Sequence, residues 1–232
     1  MKTATLLAPA ARHPKFTSIR EAPRLPTVTL VLIVVNLLVW ILFSSSTEQQ
    51  AASVIDSYGF VPVRLTASLK NDNITATATE VLRSVSSIFV HEHAFSHVGL
   101  NMLFLFMFGI SVERRLGRLR FAALYLASGL LTCAAYFAIC PDGLASFGAS
   151  SAVCGVLGGF IALFLTRKPT PSLLILAILA LNVYCAMTVT QAGFTFFAHL
   201  IGFAIGILGV AILTLRVTAR PTYVPADLRR LD

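Results

Sequence analysis

Long apolar runs recur along this chain, and their length restricts what it can fold into. A helix needs about 20 residues to cross the hydrocarbon core of a bilayer. Runs of that order predict helices near 27–44, 88–110, 119–140, 150–166, 171–190 and 194–215. Only 12% of the residues are charged, whereas a soluble domain usually carries about 25%. The predicted fold class is an all-α membrane protein, a bundle of six transmembrane helices.

The cations orient that bundle. Lys2, Arg12, Lys15, Arg20 and Arg24 precede the first helix, and Arg114, Arg115, Arg118 and Arg120 fall between the second and third. Arg167 and Lys168 fall between the fourth and fifth, and Arg216, Arg220, Arg229 and Arg230 follow the sixth. If the segments alternate, all of these share one side, and only Arg64, Lys70 and Arg83 lie on the other. Cations concentrate on the cytoplasmic side of membrane proteins, so both termini are expected in the cytoplasm. The net charge of +8 is then a record of topology. It argues against a nucleic-acid partner and favours the bilayer, with attraction to anionic headgroups.

The expected organisation is a cytoplasmic tail over 1–26, a membrane domain over 27–216 and a second cytoplasmic tail over 217–232. The domain carries one long external loop at 45–87, with room for a short helix or a segment lying on the membrane surface. Cys133, Cys140, Cys154 and Cys185 fall in or at the ends of apolar runs without a Cys-x-x-Cys spacing, and read as small core residues. Short tails and no targeting sequence point to a bacterial plasma (inner) membrane.

Polar groups inside a bilayer are costly and mark function by default. The second helix contains Glu92, His93, His97 and Asn101; the fourth opens on Ser150 and Ser151; the sixth carries His199. Ser150 follows Phe147-Gly148-Ala149 where a turn enters an apolar helix. A serine there can simply cap the helix. The same place suits a nucleophile, because first-turn N–H groups lack helical partners and face any oxyanion formed at the hydroxyl. A lone His199 can likewise be a satisfied core residue. Its neighbours Gly202 and Gly206 form a small-residue face, however, and Gly155 and Gly159 form another on the fourth helix. Packing those faces together would bring Ser150 and His199 to similar depth, as a nucleophile and base require. His97 and Asn101, at i and i+4, share a helix face. They can donate to an oxyanion or act as interhelical glue. No carboxylate accompanies the sixth helix, so the candidate unit is a dyad. Glu113 and Arg115 read as fixing the turn between the second and third helices.

These residues resemble the rhomboid family of intramembrane serine proteases. The resemblance runs from about Tyr58 to Gly206. It includes Tyr58-Gly59-Phe60-Val61-Pro62, Phe89-Val90-His91 and His97-x-x-x-Asn101-Met102-Leu103-Phe104-Leu105. It continues through Phe108-Gly109, Val112-Glu113, Leu116-Gly117, Tyr125-Leu126-Ala127-Ser128-Gly129 and Gly148-Ala149-Ser150-Ser151-Ala152. Gly155-Val156-Leu157-Gly158 and Ala198-His199-Leu200-x-Gly202-x-x-x-Gly206 complete it. The resemblance implies a six-helix rhomboid-like bundle with a water-filled cavity open to the outside. Ser150 would be the nucleophile and His199 the general base. His97, Asn101 and the Ser150 backbone N–H would bind the oxyanion. Transmembrane protein substrates would enter past the fifth helix and the segment near 187–197. Cofactors and metals are expected to play no part.

Two departures stand out. Ser151 occupies a position where the family usually has glycine. Five residues separate His91 from His97 where the family usually has four, which predicts an insertion or shifted register at the top of the second helix. The alternative function is a catalytically inactive rhomboid-like protein that binds membrane clients. A metal or haem site on His93 with His97, or His97 with His199, is a further alternative, although the zinc-protease pattern His-Glu-x-x-His is absent. A transporter would favour an internal repeat, and none is evident.

Overall fold

The computed structural model describes residues 25–91, 95–164 and 192–218. The expected span near 171–190 lies outside the described residues, as do Glu92, His93, Arg167, Lys168, Cys185 and most of both tails. The described residues are helical, with no strand beyond one isolated bridge between Phe60 and Ser146.

The helices are α1 (Thr27–Ser44), α2 (Glu48–Tyr58), α3 (Pro62–Lys70), α4 (Ile74–Ser86), α5 (Phe95–Leu116), α6 (Arg118–Ile139), α7 (Ser150–Phe164) and α8 (Ala192–Thr218). Among the described residues α1, α5, α6 and α8 are long and apolar enough to cross a membrane, while α7 is a shorter apolar helix. Leu30, Val31, Val34, Leu38, Ile41 and Leu42 of α1 are exposed, whereas its Thr29 and Asn36 are buried. Polar-in and apolar-out suits a helix whose solvent is lipid, since an apolar face of that extent is unfavourable against water.

The core runs along the inner face of α5. Val98, Leu105 and Val112 recur every seven residues and are fully buried, so they form one seam that successive helices can pack against. Phe121 and Tyr125 of α6 and Ala152 and Val156 of α7 join the same cluster. Within α5, Leu105–Gly109 form a π-helical turn. Gly109 approaches α1 so closely that a Cβ there would lie 3.0 Å from Thr29 Cγ2.

Helix α5 starts and ends later in the chain than the apolar run predicts. At its start, Ile88 and Phe89 still turn back onto α4, the Phe89 N–H donating to the Ser86 carbonyl at 2.9 Å. At its end, the helix continues through Glu113 to Leu116 because Glu113 has a buried partner. Its Oε1 accepts the Val28 N–H at 3.0 Å, and its Oε2 accepts the Thr29 N–H and hydroxyl, each at 2.7 Å. Glu113 therefore caps α1 rather than fixing the α5–α6 turn. That turn is made by Gly117, whose φ of +83° is open to glycine and strained for other residues.

The loop at 45–87 holds three short helices where room for one was expected. Thr47 and Gln50 form a reciprocal capping box on α2, Pro62 opens α3, and the Asn73 side chain caps α4 through the Ala76 N–H. These are chemical helix starts that an apolar-run reading passes over. Arg83, paired with Glu80, donates to the Ser57 carbonyl, and the Ser86 hydroxyl donates to the Tyr58 carbonyl. The loop is thereby a folded unit, tied onto the end of the bundle where α7 begins.

Candidate active site

Ser150 is the first residue of α7 and is half-buried. The segment that delivers it is held on its backbone. Phe60 and Ser146 exchange both hydrogen bonds of an antiparallel bridge, at 3.0 and 2.8 Å. The Gly148 N–H donates to the Ser87 carbonyl at 2.8 Å. The Ala149 N–H donates to His91 Nε2 at 3.2 Å. The chain then enters α7, with the Val153 N–H donating to the Ala149 carbonyl at 2.9 Å. Gly148 has a φ of +104°, a conformation that is costly for any residue with a Cβ.

His97 sits on the first turns of α5, half-buried, with its ring over Gly148. A Cβ on that glycine would stand 3.3 Å from His97 Cε1 and 3.4 Å from its Nε2. Asn101 lies one turn further along and is buried. The structure thus brings His97 to the turn that precedes Ser150, with Asn101 one turn further along the same helix.

His199 lies on α8, half-buried, and neither ring nitrogen has a hydrogen-bond partner among the described residues. Its height relative to Ser150 follows from how α7 and α8 touch. A Cβ on Gly202 would overlap the Ser151 carbonyl oxygen, and one on Gly206 would overlap that of Gly155. One on Gly155 would lie 3.2 Å from the Gly202 carbonyl oxygen. Backbone meets backbone, which only glycine permits. Residue numbers rise together in the two contacts, so the helices run parallel. Contacting residues differ in number by 45 (Gly158 with Phe203) to 51 (Gly202 with Ser151), so the residue level with Ser150 lies between 195 and 201, a range that contains His199 and spans about 9 Å at about 1.5 Å per residue. Ser150 and His199 therefore occupy the same end of a tightly joined helix pair.

The contact row holds one member more than the sequence expectation. Gly158 meets the Phe203 backbone, while Gly159 turns towards Leu124 and Val210, with the Gly206 carbonyl at 3.7 Å. Ser128 of α6 packs against Gly155 from the other side. A straight Gly-x-x-x-Gly reading misses Gly158 because α7 is gripped between α6 and α8, and Gly155 and Gly159 each reach both.

His91 is the residue whose place sequence reasoning left open. It is buried at 8% exposure, bonded to Ala149, and edge-on to His97 with ring centroids 5.4 Å apart. The signal for it is its position in Phe89-Val90-His91. Among the described residues no group of three or more histidine, cysteine, aspartate or glutamate side chains is arranged to hold a metal ion.

Comparison with known proteins places this geometry. The Bacillus subtilis protein YdcA is 29% identical over 140 residues, which are 59% of this chain and 69% of that protein. Rhomboid protein 1, mitochondrial, of Saccharomyces cerevisiae is 35% identical over 147 residues, 56% of this chain and 41% of its own. The rhomboid protease GluP of Bacillus subtilis is 27% identical over 143 residues, 62% of this chain and 26% of its own. The chain thus spans well under half the length of the latter two. The family model described as the Rhomboid domain matches residues 78–216, more than half of the chain and all of the candidate site. This chain is an integral membrane protein that belongs to the rhomboid family.

Proposed function

We propose that this chain is an intramembrane serine endopeptidase that hydrolyses peptide bonds in or near transmembrane segments of membrane-protein substrates. The observation that carries the reading is the glycine-to-backbone contact of α7 with α8, which puts Ser150 and His199 at one end of one rigid pair. Relatives named as rhomboid proteases support the same class.

In this reading His199 takes the Ser150 hydroxyl proton as the oxygen attacks the scissile carbonyl. The tetrahedral oxyanion is bound by His97, Asn101 and the Ser150 backbone N–H. The amine leaves with the proton from His199, and water then repeats the sequence to release the acyl group. The Ala149 N–H is already committed to His91, and the Ser150 N–H is the backbone donor that the family resemblance implies. General-base help of this kind is worth about 10²–10⁴ in rate, and each oxyanion donor about 10²–10³. A dyad without a carboxylate suffices when packing orients the imidazole, and α8 is locked to α7 at each turn below it.

Arg114, Arg115, Arg118 and Arg120 cluster at the end of α5 and the start of α6, remote along the helix axis from His97. Positive charge on the cytoplasmic side then directs the site outward. A plasma membrane with both termini inside fits that arrangement.

The test is cleavage of a model transmembrane substrate by the purified protein, with labelling by a fluorophosphonate probe. Wild type should cleave and label, Ser150→Ala should do neither, and His199→Ala should label at least about 10²-fold more slowly. A wild type that neither cleaves nor labels would overturn the protease reading in favour of a client-binding rhomboid-like protein.

A further inference from the structure

One buried histidine beside the site has no part in that mechanism. His91 precedes the α5 span, and its two nitrogens are both engaged. Nδ1 lies 3.3 Å from the Phe89 carbonyl oxygen, and Nε2 accepts the Ala149 N–H at 3.2 Å. A carbonyl only accepts and an amide N–H only donates. Both bonds therefore require the neutral imidazole with its hydrogen on Nδ1. Ala149 is fully buried and immediately precedes Ser150. First-turn N–H groups have no helical acceptor, so whatever accepts this one sets where the turn stands. The same ring is edge-on to His97, and His97 lies over Gly148. His91 thus touches both halves of the site, the turn that carries Ser150 and the helix that carries His97 and Asn101.

Resting on the protease reading above, we propose that His91 is a positioning residue that fixes the Ser150 turn against His97 and Asn101, and that it does so only as the neutral Nδ1–H tautomer. It need not touch the substrate. A proton on Nε2 would set N–H against N–H at Ala149 and place a positive charge beside His97. Burial lowers the His91 pKa from its ordinary 6.5 to about 4; the neighbouring His97 adds to this and the bond to Phe89 opposes it. Among the described residues His97 is the titratable group set against the ring; Glu92 and His93, next in the chain, lie outside them. The unfolded chain takes up this proton near 6.5 and the folded chain near 4. The bond therefore persists in the folded chain until pH nears the second value, while the stability it contributes is complete above the first value and falls progressively towards the second.

The experiment compares wild type, His91→Gln and His91→Leu as full-length protein in detergent. Substrate cleavage, fluorophosphonate labelling and the thermal unfolding midpoint are followed from about pH 7.5 down to about pH 4.5, the window of that titration. Glutamine can give an N–H to Phe89 and an oxygen to Ala149, and it takes up no proton in this range. His91→Leu should lower kcat at least about tenfold with KM little changed, the signature of misplaced reacting groups. His91→Gln should stay within about threefold of wild type near neutrality, and its midpoint should fall less with acid than the wild-type midpoint. Wild-type kcat in His91→Leu would overturn the proposal. So would a glutamine variant as slow as the leucine one, or one whose midpoint falls with acid as steeply as wild type. If wild type neither cleaves nor labels, the protease reading fails, and the midpoint comparison still decides whether neutral His91 holds Ala149.

Discussion

Glu113 offers the sharpest test of how the bundle is held together. It is 3% exposed, three residues from the end of α5, and its carboxylate caps a different helix. Pro26 supplies no side-chain cap to α1, so Glu113 alone accepts the Val28 N–H and the Thr29 N–H and hydroxyl among the described bonds. Glu113→Ala removes two acceptor oxygens and three hydrogen bonds at once. Adding three bonds to a charged group at about 1.5–3 kcal/mol each would overcount, because one carboxylate serves all three and water reaches part of the vacated space. The Thr29 hydroxyl can turn to a carbonyl of its own helix. The Val28 N–H, half-buried, can find water. What remains is the orphaned, fully buried Thr29 N–H, at about 1–3 kcal/mol, and the lost charge at a helix N-terminus, at about 1 kcal/mol. The expected cost is on the order of 3 kcal/mol. Glu113→Gln keeps one oxygen for Thr29 but aims an NH₂ at the Val28 N–H and loses the charge, for about 1–2 kcal/mol. Thr29→Val removes only the hydroxyl and should cost less than about 1 kcal/mol. Unfolding in mixed detergent and dodecyl sulfate micelles, followed by helicity, measures all three. An alanine variant within about 0.5 kcal/mol of wild type, or a glutamine variant as costly as alanine, would refute the capping argument.

Three glycine substitutions probe the site from other directions. Gly206→Ala would push the α7 and α8 backbones apart at the Gly155 carbonyl, and cleavage should fall by about 10²-fold. Gly209→Ala meets only the tip of Leu124, at 2.8 Å, and should cost less than about 1 kcal/mol, with cleavage nearly unchanged. Equal losses in the two would show that α7–α8 proximity does not govern activity. Gly148→Ala forces a Cβ into a positive-φ turn and against His97. It should cost about 1–2 kcal/mol and slow Ser150 labelling while far-ultraviolet circular dichroism stays unchanged.

Much of the scaffold is legible in the sequence because lipid imposes a simple rule. A segment in hydrocarbon must satisfy its own backbone, so a long apolar run is a helix. The α1 boundaries match the apolar run at 27–44, and α6 lies within one residue of its expected limits. The loop helices are less visible, because their starts depend on capping chemistry at Thr47 and Asn73 and their packing on the Ser57 and Tyr58 carbonyls. The end of α5 lies beyond the apolar run for a related reason. Glu113 looks like a boundary charge until the α1 N-terminus is seen to need it.

The candidate site divides in the same way. Residue type and spacing alone singled out Ser150, His199, His97 and Asn101, because polar groups in an apolar chain are few and each needs a reason. The sequence also indicated that glycines would let the fourth and sixth helices approach. Only the tertiary structure added Gly158 to that contact, where it meets the Phe203 backbone, and set Gly159 against Leu124 of α6 as well as Val210 of α8. Only the tertiary structure gave His91 a place, by bringing a residue of the α4–α5 connection to a backbone N–H 58 positions away. Local chemistry writes helices and polar exceptions into the sequence. Which exceptions meet depends on helix register and loop closure, and those are settled by packing across the whole bundle.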